Sequence, residues 1–252
     1  MRACAQREHL ESTGGFPATR FSIVGRLQAD DPDVRARALE AFASAYWVPV
    51  SRYIRYKWRL DAEHAADLTQ EFFARTLESQ GLARFDPSRA RFRTYVRLLV
   101  DGFVSNARKA DGRLKRGGAF EAVALEETMP DGQVRSHAPP VVEDHDEVFY
   151  QEWVRALFEA AVDDLRTEAR ARGREVQFEV FRRYDLADVR DEAQPTYADL
   201  AAGLGLTVAT VTNYLAAMRR ALRARVLERL RELTASDDEF EAEAKRLLGV
   251  RR

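Results

Sequence analysis

The residues best suited to chemistry in this sequence are cations, hydroxyls and amides rather than nucleophiles. Between Arg91 and Arg116 the chain carries eight bases (Arg91, Arg93, Arg97, Arg108, Lys109, Arg113, Lys115 and Arg116) and two acids, Asp101 and Asp111. Phe92, Tyr95 and Phe103 are interleaved with them. Bases neutralise phosphates and release counterions, and aromatic rings stack on unpaired nucleobases. Phe92 and Phe103 share a helical stripe with Val96 and Leu99, so both read as core. Tyr95 lies off that stripe and is the better stacking candidate.

A second group begins at Thr196. Thr196 is placed to cap a short helix, with Asp199 in its first turn. Gly205 falls where a tight turn needs positive φ. Thr207 then starts a helix whose Val208, Val211, Leu215, Met218 and Leu222 recur at three and four. Over residues 196–222 these are the parts of a helix-turn-helix in order. Ala209, Thr210, Thr212, Asn213, Ala216, Arg219 and Arg220 face outward. Small residues admit a helix to the major groove. Asn suits adenine, Arg suits guanine or phosphate, and Thr207 suits a phosphate. The alternative is a helical hairpin with a solvated arginine face.

Covalent and metal chemistry find little support. His64 and Asp67 share a helix face, but a metal needs more ligands than two. His145 lies in an acidic stretch, Cys4 lies in a tail, and Gly117-Gly118 is no phosphate loop. No enzyme activity, cofactor or metal is expected. The helix around 61–79 places Glu63, Asp67 and Glu71 on one edge beside Gln70. Phe72 and Phe73 are adjacent, so one of them should lie near the surface. Such an edge suits a basic helical partner; a solvated face is the alternative.

These groups must be held by helices, because apolar residues recur at helical spacing and strand alternation is nearly absent. Asp31-Pro32 opens a helix with Val34, Ala38, Phe42, Ala45 and Tyr46 on one face, which Pro49 should kink or end. Leu68, Phe72, Phe73, Thr76 and Leu77 should point inward from the next helix. Further helices are expected over about 147–171, ended by Gly173, and about 174–187. Ser236 to Glu239 reads as a capping box for a last short helix with Phe240, Leu247 and Leu248. Residues 117–147 break the pattern with Gly, Pro and acids and read as a linker.

The 252 residues, with 46% hydrophobic and 32% charged, suffice for real cores. One cysteine excludes an internal disulfide, and no apolar run reaches membrane-span length. The N-terminus, with Arg2, Arg7, Glu8 and Glu11, does not read as a signal peptide, so a cytoplasmic setting is expected. The net charge of -1 is unevenly spread. Residues 1–118 hold 21 Lys/Arg and 14 Asp/Glu, and residues 119–150 hold one and eight. Residues 193–233 again hold six bases against three acids. Two basic blocks around an acidic joint suggest two surfaces for a polyanion. The expected architecture is all-α: two small helical domains joined by a flexible acidic linker, the second with the helix-turn-helix.

In combination these segments resemble bacterial RNA polymerase sigma factors of the extracytoplasmic-function (ECF) group. The matching stretches are residues 17–21, 45–50 (Ala-Tyr-Trp-Val-Pro-Val), 67–75 (Asp-Leu-Thr-Gln-Glu-Phe-Phe-Ala-Arg), 91–95 (Arg-Phe-Arg-Thr-Tyr), 115–118 (Lys-Arg-Gly-Gly) and the helix-turn-helix. The resemblance implies a flexible tail over 1–19, sigma domain two over 20–118, a linker over 119–146, sigma domain four over 147–233 and a helical tail over 234–252. It implies core-polymerase binding through Glu63, Asp67, Gln70, Glu71, Phe72 and Phe73. The minus-ten element would be melted and held by Arg91, Arg93, Tyr95, Arg97, Arg108, Lys109, Arg113, Lys115 and Arg116. The minus-thirty-five element would be read by Thr207, Ala209, Thr210, Thr212, Asn213, Arg219, Arg220 and Arg223. The implied partners are core RNA polymerase (the clamp of its largest subunit and the flap of the second largest), promoter DNA as duplex and melted strand, and a regulator, either an anti-sigma factor or a Ser/Thr kinase. No membrane partner is implied.

The sequence departs from that pattern twice. Such factors carry a denser acidic run where this chain reads His64-Ala65-Ala66-Asp67. Phosphorylation of Thr69 is one way to restore the missing charge. Thr212 and Tyr214 stand where related factors often carry bases, so no base preference is carried over. The competing expectations are a stand-alone helix-turn-helix regulator and a sigma-like interaction protein without initiation activity.

Overall fold

The computed structural model describes residues 22–79, 81–114, 144–187 and 194–249. Every element among them is helical, as the spacing predicts. They are α1 (Ile23–Leu27), α2 (Pro32–Trp58), α3 (Ala62–Glu78), α4 (Phe92–Leu114), α5 (His145–Ala171), α6 (Glu175–Asp185), α7 (Tyr197–Leu204), α8 (Val208–Glu232) and α9 (Asp237–Leu248), with a single 3-10 turn at Leu82–Arg84 between α3 and α4. The expected tail over 1–19 and most of the expected linker lie outside the described residues.

Local signals set most of the boundaries. The Asp31 carboxylate accepts from the backbone N–H groups of Asp33 and Val34, and Pro32 occupies the first turn of α2. Pro49 does not end α2, which runs on to Trp58. A proline inside a helix costs about 3 kcal/mol. Burial of Tyr46, Val50, Tyr53 and Ile54 on either side of it supplies the compensation. Asp144 caps α5 by accepting from Asp146 and Glu147, so that helix starts two residues before the expected position.

Two apolar clusters hold the helices together. The larger joins α1–α4 with Phe149, Tyr150, Trp153, Leu157 and Ala161 of α5. Val226 and Leu230 of α8 and Ala244 of α9 complete it. Its centre is a set of edge-on aromatic pairs, Tyr46–Phe92 at 5.9 Å and Tyr53–Phe149 at 5.1 Å among them. The smaller cluster joins the end of α5 (Leu165, Ala169) with Phe178 and Phe181 of α6, Leu200 of α7, and Val211, Leu215 and Met218 of α8. By sequence, α5 opens the second expected unit, yet its first half is buried against α2. α5 and α8 run through both clusters and pack along each other. Charge reinforces that pairing: Arg225 donates to Glu168 at 2.6 Å and Arg229 to Asp164 at 2.5 Å. Two residues expected inward are exposed, Leu77 on α3 and Val208 in the first turn of α8.

Candidate nucleic-acid and partner surfaces

The α7–α8 pair is built by its caps. Thr196 Oγ1 accepts from the Asp199 N–H at 3.2 Å, and the Asp199 carboxylate accepts from the Thr196 N–H at 2.9 Å. The Thr196 hydroxyl also donates to that carboxylate at 2.7 Å, and this bond foremost, with the Thr196 N–H, holds the exposed Asp199 carboxyl below its ordinary range. Gly205 has φ 64°, as its place in the turn predicts, and the helix direction changes by 104° between α7 and α8. The Thr207 hydroxyl accepts from the Thr210 N–H at 3.1 Å and lies 2.8 Å from the Thr210 hydroxyl. Val211, Leu215 and Met218 are buried on one side of α8. Ala209, Thr212, Asn213, Arg220 and Arg223 are exposed on another. Arg220 and Arg223 form no ion pair among the described residues. Arg219, expected to face DNA, instead donates twice to the Asp185 carboxylate, at 2.8 and 2.9 Å, and lies over the Tyr184 ring. That pair ties α8 to the end of α6 and raises the guanidinium pKa further.

The α4 residues are largely engaged. Arg93 is 3% exposed, because its guanidinium is sandwiched between Glu243 of α9 and the rings of Tyr150 and Trp153. Arg91 donates to the same Glu243 oxygen at 2.9 Å. Arg97 bridges Asp101 at 2.7 Å and Asp146 at 3.0 Å. Tyr95 is half-buried against Phe85, and its hydroxyl donates to the Gly81 carbonyl at 2.5 Å. Its place off the apolar stripe reflects that fastening of the 82–84 turn rather than a free ring. Arg108 and Lys109 are exposed near the far end of α4. Arg113 lies in the last turn, and Lys115 and Arg116 lie outside the described residues.

On α3, Glu63, Asp67 and Gln70 are exposed, and Glu71 is paired with Arg75. Asp61 caps the helix and holds His64 Nδ1 at 2.8 Å, which raises the imidazole pKa. Neither Phe72 nor Phe73 reaches the surface, against expectation: they are 0% and 3% exposed. α2 and α4 close over both, since Phe73 meets Phe42 and Phe72 meets Phe103. The aromatic beside this edge is Trp47, 40% exposed and stacked on Phe73 at 5.3 Å. Sequence reasoning missed it, although Trp47 follows Tyr46 and stands off the α2 stripe. Thr69 is fully buried, and its hydroxyl donates to the Ala65 carbonyl at 2.6 Å. A kinase has no access to it in this arrangement. No group of three or more His, Cys, Asp or Glu suited to a metal occurs among the described residues. No single described helix is long and apolar enough to cross a membrane.

Compared with protein-family models, curated proteins and solved structures, the chain matches none.

Proposed function

We propose that this chain is a sigma-like transcription initiation factor, which binds core RNA polymerase and directs it to promoters by reading duplex and melted DNA. The observation that carries this reading is the α7–α8 pair. Its capped first helix, Gly205 turn and 104° change of direction are the parts of a helix-turn-helix, and it presents a polar stripe. Ala209 and Thr212 keep the start of α8 narrow enough for a major groove. Asn213 has the geometry for adenine, and Arg220 and Arg223 supply charge for phosphates.

The second support is the α3 edge. Glu63 and Asp67 offer carboxylates to a basic helix of the polymerase clamp, with Trp47 rather than Phe72 or Phe73 as the aromatic anchor. The third is the cation density of α4, with Arg108 and Lys109 open for the melted strand. In this reading the setting is cytoplasmic, and no covalent chemistry is performed by the chain itself.

The test is transcription from promoter fragments with purified core polymerase. Initiation that depends on the chain and is abolished by Asp67→Ala supports the reading.

One observation favours a second reading, a duplex-binding regulator that acts without polymerase. Arg91, Arg93 and Arg97 of the expected single-strand surface are all occupied by carboxylates, while the α8 stripe is open. Binding to duplex without binding to core polymerase would favour it.

A further inference from the structure

The first turn of α4 is covered by α9. The Phe92 N–H donates to Glu239 Oε1 at 3.0 Å, so a carboxylate sits on the N-terminus of a long helix. Both Arg91 and Arg93 reach Glu243 Oε1, at 2.9 and 3.2 Å. A helix N-terminus flanked by two guanidinium groups is an anion site by charge and by donor geometry. Here two carboxylates of the same chain fill it.

The filling is imperfect. Arg93 Nε and Nη1 and Glu243 Oε2 are buried and find no hydrogen-bond partner among the described residues. A buried ion pair with unsatisfied atoms is a weak joint, because desolvation is incompletely offset. Burial also lifts the Glu239 carboxyl above its ordinary range, so its ionised form is a costly occupant. α9 is also seated on the larger cluster through Ala244, Phe240 and Leu247, and contacts at the surface add to this. Arg231 lies 4.1 Å from the Phe240 ring centroid and pairs with Asp237, and Arg246 covers the Tyr150 ring and pairs with Glu147.

We propose that the start of α4, with Arg91 and Arg93, is a phosphodiester site masked by α9, whose Glu239 and Glu243 stand in for nucleic-acid phosphates. Single-stranded DNA is the ligand that displaces them. The proposal rests on the reading that α4 handles a melted strand, and it adds a gate. A phosphodiester stays ionised, and a strand brings several of them with two non-bridging oxygens each, so it satisfies the idle Arg93 donors that Glu243 leaves. The masked state is the closed resting form. The unmasked state frees Arg91, which is already exposed but paired, and uncovers the buried Arg93 on the side that Glu243 occupies.

The test uses the full-length chain and a fluorescent oligothymidylate of about 16 nucleotides, the upper end of a single-strand site. Glu243→Gln and Glu239→Gln weaken the mask directly. Phe240→Ala weakens it without a change of charge. Asp238→Asn removes an equal charge from the exposed side of α9 and serves as the control. The expected result is affinity raised by about 5-fold to 150-fold in the first three variants, the usual span of intramolecular coupling. The control stays near the parent, and adding Arg91→Gln reverses the gain. Circular dichroism confirms that each variant retains its helix. In the unsubstituted chain, oligothymidylate should speed amide exchange across residues 237–248 while α2 and α5 stay protected.

Unchanged affinity in all three variants overturns the mask. So does bound oligonucleotide with no change in α9 exchange, or a gain that survives Arg91→Gln. Transcription separates this from the underlying reading. Variants that gain affinity but start no transcription keep the mask and remove the initiation role. A chain that initiates while its variants gain nothing keeps the role and removes the mask.

Discussion

At the scale of single residues, occupancy decides which cations are available to a ligand. Arg219, Arg225 and Arg229 stand on one helix with Arg220 and Arg223, yet the first three are bound to Asp185, Glu168 and Asp164. Arg220 and Arg223 should therefore carry the phosphate contacts of α8. Arg220→Ala and Arg223→Ala should each reduce the salt slope of duplex binding by about 1, whereas a released counterion is not expected from Arg219. Anisotropy titrations at several salt concentrations would measure this. Thr69 gives a second residue-level prediction. Its hydroxyl is fully buried and bonded to Ala65, so Thr69→Glu should destabilise the fold by on the order of 3 kcal/mol, the scale of an uncompensated buried charge. Thermal denaturation reads the loss. A Thr69→Glu chain of unchanged stability and higher polymerase affinity would restore the phosphorylation idea.

At the scale of elements, the caps and turns were legible because they depend on residues close in sequence. Asp31-Pro32, Thr196-x-x-Asp199, Gly205 and Ser236-x-x-Glu239 each mark a helix end that the structure places at that point. Glu239 shows where local reading stops. Its N–H is capped by Ser236 as expected, but its carboxylate reaches the N–H groups of Ala235 and Phe92. A bond spanning 147 positions has no local signature. Tyr95, Phe72 and Phe73 were misplaced for the same reason: helical periodicity gives a face, not what covers it. Two predictions belong here. Gly205→Ala forces a side chain into the left-handed region at φ 64° and should cost about 1–3 kcal/mol. Duplex affinity should fall with it. The Asp199 cap has a depressed carboxyl pKa in the folded chain. Its contribution is therefore complete above the ordinary carboxylate range and lost as pH falls through the lowered folded value. Amide exchange of α7 should rise over that window and be flat across it in Asp199→Asn.

At the scale of the whole molecule, α5 and α8 couple the α1–α4 cluster to the α6–α7 cluster. Trp153 of α5 sits within the larger cluster, 2% exposed, beneath the Arg93 guanidinium. Trp153→Ala should cost about 3–5 kcal/mol, and unfolding should remain one transition, followed by far-ultraviolet circular dichroism in urea. Two separate transitions would mean that the clusters are independent. The coupling also sets what initiation would require: the α8 stripe is open in this arrangement, while the start of α4 is closed by α9. In the proposed role the chain would serve core RNA polymerase at promoters. The most direct measurement is transcription with purified core polymerase from the source organism on genomic fragments, with mapping of the start sites. Defined starts should require the chain and disappear with Asp67→Ala or with the Arg220→Ala/Arg223→Ala pair. Failure of the folded chain to bind core polymerase, with duplex binding intact, would contradict it.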